Sequence, residues 1–104
     1  MANEEVTLES NVQLQGFASV EPAAMTVLRK IIGNHYRRLA EISDAQGLII
    51  SMKTIHGIEK SEKYELHARL ASKGNRMFTS VVVDRDLFVA IDKLLKKLEA
   101  EIEK

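Results

Sequence analysis

The chain has 104 residues, of which 45% are hydrophobic and 29% charged, as is typical of one globular domain rather than two domains or a disordered chain. It contains no cysteine, which excludes disulfides, thiolate nucleophiles and cysteine-based zinc sites. No apolar run approaches the roughly 18 residues that span a bilayer, and the amino terminus lacks the apolar core of a secretory signal. A cytoplasmic protein with no membrane partner is therefore expected. Because the formal net charge is +0, a polyanion would have to bind a local basic surface.

The amino-terminal residues differ in character from the rest of the chain. Residues 1–11 carry three glutamates with no balancing cation and are expected to form a mobile acidic tail. Val6 and Leu8 have strand spacing, which leaves open an extension of the first strand into this tail. Residues 12–104 are predicted to form a single domain.

Four segments of this domain alternate in the manner of strands, and two have helical spacing. The strands are predicted over 12–17, 48–55, 64–70 and 76–83, and the helices over 22–42 and 87–102. Gly33 lies within the first helix without breaking its apolar phase, so one helix is predicted there. Asp84 and Asp86 are predicted to cap the second helix.

The resulting order is β-α-β-β-β-α. A helical crossover makes the first two strands parallel, while short links make the last three an antiparallel meander. Alternation in the third strand indicates a sheet with one covered face and one wetter face. The predicted fold class is α+β: a two-layer sandwich in which two helices lie side by side on one face of a four-stranded mixed sheet.

Patterns that would indicate catalysis are missing from the sequence. The three histidines have no metal-ligand spacing, and no nucleophile elbow, Walker loop or dinucleotide-binding glycine motif occurs. His35 falls in the apolar stripe of the first helix and is interpreted as a hydrogen-bonded core residue. The chain is thus predicted to be no enzyme, with no metal, cofactor or small-molecule substrate.

Basic residues remain as the functional signal. On the second helix, lysines fall beyond one edge of the apolar stripe and carboxylates toward the other. Lys30 and Arg37 project from one flank of the first helix, and if the two basic flanks face each other they line a groove for phosphates. An ordinary solvent-exposed helix face would explain any single lysine equally well. It would not explain why the lysines and the carboxylates lie on opposite sides of the stripe. The candidate RNA-binding residues are Arg29, Lys30, Arg37, Arg38, Arg85, Lys93, Lys96 and Lys97.

Aromatic residues are few, and none alternates with basic residues on an exposed strand. Base stacking of the kind used by RNA-recognition motifs and oligonucleotide-binding barrels is therefore disfavoured. Recognition of the RNA backbone and shape is the predicted mode.

The carboxyl-terminal half resembles a known family. Tyr64-Glu65-Leu66-His67-Ala68, Asp86-Leu87-Phe88-Val89-Ala90-Ile91-Asp92 and Lys97-Leu98-Glu99 resemble motifs of the ribosome hibernation promoting factor family, which includes ribosome-associated inhibitor A. Matches cover residues 64–102, whereas the first half matches in layout only. The family motif has Arg-Gln where this chain has Ala100 and Glu101, and an acidic residue where it has Lys96.

The resemblance implies a fold similar to double-stranded-RNA-binding domains and binding in the decoding channel of the small ribosomal subunit. There the protein would contact rRNA with both helices and block access of tRNA and mRNA. Lys97 matches the motif lysine. Because the chain ends at Lys104, the resemblance is to the short form, without the dimerisation domain of the long form. The alternative is a protein-interaction or regulatory module of the same fold that does not bind ribosomes, as the zero net charge and the motif departures suggest.

Overall fold

The computed structural model describes residues 6–7, 11–56 and 62–104, which form an α+β fold. Its elements in chain order are β1 (Val6–Thr7), β2 (Val12–Gln15), α1 (Pro22–Ser43), β3 (Ala45–His56), β4 (Glu62–Ser72), β5 (Arg76–Asp84) and α2 (Leu87–Ile102). Within these described ranges, no helix is long and apolar enough to cross a bilayer.

The strands form one mixed sheet in the order β1-β2-β3-β4-β5. β2 runs parallel to β3, with Val12 beside Leu48, and β3, β4 and β5 pair antiparallel. This confirms the predicted topology. β1 adds a two-residue strand antiparallel to β2, within the segment predicted to be a tail. The other residues of that tail up to Ser10, and residues 57–61 of the polar connection, lie outside the described part of the chain.

Both helices cover the same face of the sheet, as predicted, with α1 over β3 and α2 over β4 and β5. Alternate strand residues point to this face, so their burial follows the period of two. Burying one such aliphatic side chain contributes roughly 1.5–3 kcal/mol. The largest fully buried side chains are Leu14, Phe17, Leu28, Ile32, Leu39, Leu48, Ile50, Leu66, Leu70, Ile91, Leu94 and Leu95.

Several predicted boundaries differ from the observed ones. β2 ends at Gln15, not at Phe17, because Gly16 turns the chain with φ +82°. A Cβ on Gly16 would clash with the carbonyl oxygen of Met52, so only glycine fits there. The turn brings Phe17 into the core. β3 and β4 are longer than predicted at both ends, because pairing continues beyond the alternating residues.

Polar groups hold the carboxyl-terminal end of α1 and the amino-terminal end of α2 in place. α1 is continuous through Gly33 and ends at Ser43, followed by Asp44 in the left-handed conformation with φ 51°. The Ser72 hydroxyl of β4 donates to the Ser43 carbonyl and ties this end to the sheet. At the start of α2, the Val89 amide donates to Asp86 Oδ1 at 3.1 Å, which confirms the predicted cap.

Candidate nucleic-acid interface

One flank of α1 carries three exposed cations, here called the basic flank: Arg29, Lys30 and Arg37. Together with Gly33 and Asn34 they line an open depression of about 430 Å³ beside Val12 of β2. Residues 29, 33 and 37 are each one helical turn apart, so they form a row along the helix. Within the described part of the chain, none of the three cations makes an ion pair. Their charge is therefore available to an anion.

Three lysines share the flank of α2 that lies beside β5, here called the lysine flank: Lys93, Lys96 and Lys97. Each has an acceptor. The Lys93 amine lies 2.9 Å from Asp84 Oδ2, and the Lys96 amine 2.8 Å from Asp92 Oδ2. Lys97 donates to the main-chain carbonyl of Val81 at 2.8 Å. Ion pairing with two carboxylates reduces the net positive charge that this flank presents.

The seam between the helices is lined by the opposite edge of α2. Nε2 of His35 lies 2.9 Å from Asp92 Oδ1, and Nε of Arg38 lies 3.5 Å from Glu99 Oε1. The acidic edge of α2 therefore faces α1, and the lysine flank faces away from it. The condition for a shared groove, that the two basic flanks face each other, is therefore not met, because burial of both apolar stripes in one core turns the acidic edge of α2 toward α1.

The remaining two candidate residues lie apart from both flanks. Arg38 lies in the seam between the helices, where its guanidinium group pairs with the Glu99 carboxylate. Arg85 is exposed in the link between β5 and α2 and lines a different depression, near Tyr64 and Phe88. Of the eight candidates, the structure thus gathers three on α1 and three on α2, on opposite sides of the helical layer.

The carboxyl groups beside the lysine flank have lowered pKa values. The pKa of Asp84 lies below its ordinary value of 3.8, chiefly because the Asp86 amide donates to it and then because of the Lys93 amine. The pKa of Asp92 is lowered first by the Lys96 amine and then by His35. The pKa of Lys96 is raised above 10.5 by Asp92. Both carboxylates are therefore ionised, and Lys96 is cationic, at neutral pH.

His35 was interpreted from the sequence as a core residue, but it is only half-buried. Its side chain is 20% exposed at the helix seam, where the Asp92 carboxylate accepts a hydrogen bond from its ring. In the described residues, no three His, Asp or Glu side chains gather as metal ligands would. No buried side-chain nitrogen or oxygen there lacks a hydrogen-bond partner.

Two features of the site were not predicted from the sequence. Gly33 contributes to the depression on α1, and a search for charged residues that bind phosphate does not detect a glycine. The contact between Lys97 and the Val81 carbonyl joins α2 to the outer edge of β5. The carboxylates Asp92 and Glu99 on α2, and the hydrogen-bond donors His35 and Arg38 on α1, were a signal that could have revealed the seam.

Comparison with known proteins does not assign the chain: no protein-family model matches it, and no curated protein matches it. The function proposed below is therefore argued from the fold, the charges and the sequence resemblance.

Proposed function

We propose that the chain is a cytoplasmic, ribosome-associated translation inhibitor that binds small-subunit rRNA in the decoding channel. The observation that carries the proposal is the basic flank, in which three exposed cations, none of them ion-paired to any residue that the structure describes, surround a concave surface. Guanidinium and ammonium groups attract phosphate, and Arg29 and Arg37 can each present two parallel N–H donors to one phosphate group. Binding releases counterions from the RNA, which favours association.

The architecture supports the same proposal. The β-α-β-β-β-α order agrees with the fold that the hibernation-factor resemblance implies, and it leaves the outer side of the helical layer exposed. Amides such as Asn34 next to cations suit a sugar-phosphate backbone, which offers oxygens as acceptors. Bound through this layer, the domain would occupy the paths of tRNA and mRNA and stop initiation without any chemical step.

A second candidate is a protein-interaction module of the same fold that does not bind ribosomes. The observation that favours it is the pairing of Lys93 and Lys96 with carboxylates, which leaves only one helix strongly cationic. The two candidates differ in whether purified small subunits bind the protein.

The test measures affinity for purified small ribosomal subunits at several salt concentrations, together with inhibition of translation in a reconstituted system. Charge reversal by Lys30→Glu with Arg37→Glu should weaken binding on the order of tenfold to a hundredfold. It should also lower the slope of log affinity against log salt by about 2.

The matched control changes the net charge equally at two exposed lysines on β4 and the hairpin after it, Lys63→Glu with Lys73→Glu. This control should bind and inhibit nearly as the wild type does. Equal losses in both double variants would show that only total charge matters. Absence of binding by the wild type would favour the interaction module.

A further inference from the structure

The outer edge of β5 is a second surface suited to a partner. β5 pairs with β4 along all of its residues, and in the described part of the chain no strand lies on its other side. The amine of Lys97 reaches the Val81 carbonyl from that side. Val81 therefore directs its main-chain N–H and C=O away from β4, and by the alternation of antiparallel pairing Thr79 and Val83 do the same. Three residues thus offer main-chain donors and acceptors outward.

The two sides of this edge differ in chemistry. On the open face of the sheet, Val81 and Val83 are 44% and 48% exposed, and they present an apolar row. On the helical side, the lysine flank borders β5, and the two enclose an open depression of about 490 Å³. A strand added at this edge would place alternate side chains beside the valines and beside the lysines.

The spacing of the lysines suits such a strand. Lys93 and Lys97 are four residues apart on α2, a rise of about 6 Å along the helix. Alternate residues of a β-strand are about 6.6 Å apart and project to the same face. Two carboxylates separated by one residue would therefore meet Lys93 and Lys97 together.

We propose that the outer edge of β5 binds an extended protein segment in which acidic and apolar residues alternate. The segment adds a strand to the sheet, with its apolar side chains beside Val81 and Val83 and its carboxylates beside Lys93 and Lys97. An amide of the segment takes the place of the Lys97 amine at the Val81 carbonyl, which frees Lys97 for a carboxylate.

Lys97 also makes the edge selective. With its amine on the Val81 carbonyl, the lysine obstructs pairing by strands that offer it no carboxylate, as charged side chains do at many sheet edges. An acidic strand compensates for the lost contact with a charge-assisted one. The surface lies on the side of the helical layer opposite the basic flank, so the inference goes beyond the proposed rRNA binding and does not depend on it.

The first test uses NMR of the full chain with the capped synthetic peptide Thr-Val-Glu-Val-Glu-Val-Thr. We expect the amides of Thr79, Val81 and Val83 to shift and to exchange more slowly with solvent. Two peptides serve as controls: one with lysine at both glutamate positions, and Thr-Val-Val-Glu-Glu-Val-Thr, whose adjacent carboxylates project to opposite faces. Neither should protect these amides.

The second test reverses the charge of the site. Lys97→Glu should weaken binding of the acidic peptide about tenfold or more and should allow the lysine peptide to bind. Val81→Pro, which removes an outward N–H, should abolish binding of the acidic peptide. If the Val81→Pro variant does not fold, the change of peptide preference in Lys97→Glu still tests the proposal.

Three outcomes would overturn the proposal. One is unchanged exchange at these three amides with the acidic peptide. Another is a peptide response centred on Arg29, Lys30 and Arg37, which would mean nonspecific attraction to cations. The third is slow exchange of the β5 edge amides without the acidic peptide. It would arise if the free chain self-associates, which sedimentation would detect, or if added rRNA protects these amides.

Discussion

The basic flank of α1 and the lysine flank of α2 each hold three cations, yet they present them differently. On α1 the cations have no ion pair in the described part of the chain, whereas on α2 two of the three lysines are bonded to carboxylates. A phosphate group that approaches α2 must compete with Asp84 and Asp92, which remain close and repel it, and it lacks the main-chain pairing that an acidic strand would gain at the edge of β5. Exposure and residue type alone therefore do not determine where a polyanion binds.

The carboxylates beside the lysine flank have structural roles of their own. Asp84 accepts the Asp86 amide with one oxygen at the start of α2 and Lys93 with the other. Asp92 bonds His35 across the helix seam with one oxygen and Lys96 with the other. The charge of the lysine flank is thus coupled to how α2 begins and how it packs, a constraint that the basic flank does not share.

The largest expected effect concerns the core that holds both flanks in place. Leu94 is fully buried, so Leu94→Ala should lower the free energy of unfolding by about 2–5 kcal/mol through lost burial and a cavity. Val89 of the same helix is 41% exposed, and Val89→Ala serves as the control, with a change within about 1 kcal/mol. Denaturant unfolding of both variants checks this. Equal stabilities would mean that α2 is not docked on the sheet.

The next effect compares the two flanks directly. Lys93→Glu with Lys97→Glu changes the net charge as much as the double reversal on α1, but we expect the loss of rRNA affinity to be several-fold smaller because the lysine flank is already partly neutralised. Small-subunit binding at one fixed salt concentration measures both variants. If this variant loses as much rRNA affinity as the double reversal on α1, partial neutralisation of the lysine flank does not affect rRNA binding.

A smaller effect should appear when the lysines are released from their partners. Asp84→Asn with Asp92→Asn removes two negative charges beside Lys93 and Lys96, so rRNA affinity should rise by about two- to fivefold and become more salt-dependent. Glu41→Gln with Glu101→Gln removes as much charge at exposed positions away from these two lysines and controls for the net charge. If the control raises affinity as much, pairing does not limit the lysine flank.

The smallest effect concerns acid stability. Asp84 and Asp92 have pKa values below 3.8 in the folded chain, so they bind protons more weakly there than when unfolded. Their contribution to stability is fully present above pH 3.8 and is lost as the pH falls through the lowered pKa values. In the double asparagine variant, the decrease in melting temperature below pH 3.8 should be less steep. An identical decrease in wild type and variant would show that these carboxylates are not linked to folding.

The sequence by itself determined the local elements and their order. Alternation and helical spacing placed both helices and the four longer strands, and crossover rules placed β2 parallel to β3. The cap at Asp86 was also predictable, because the Val89 amide that it accepts lies three residues away, and Asp84 in turn accepts the amide of Asp86. Such features depend on contacts close in the chain, which one sequence contains.

Only the tertiary structure decided how the two helices are oriented toward each other. A helical wheel shows that Lys93 and Asp92 lie on different sides of the apolar stripe, but not which side meets the neighbouring helix. That choice depends on how α1 and α2 pack together on the sheet, and the residues that meet at the seam, such as His35 and Asp92, are more than fifty residues apart in the chain. Because burial of both apolar stripes fixes the rotation of each helix, the lysine flank lies beside β5 and the basic flank of α1 lies on the other side of the helical layer.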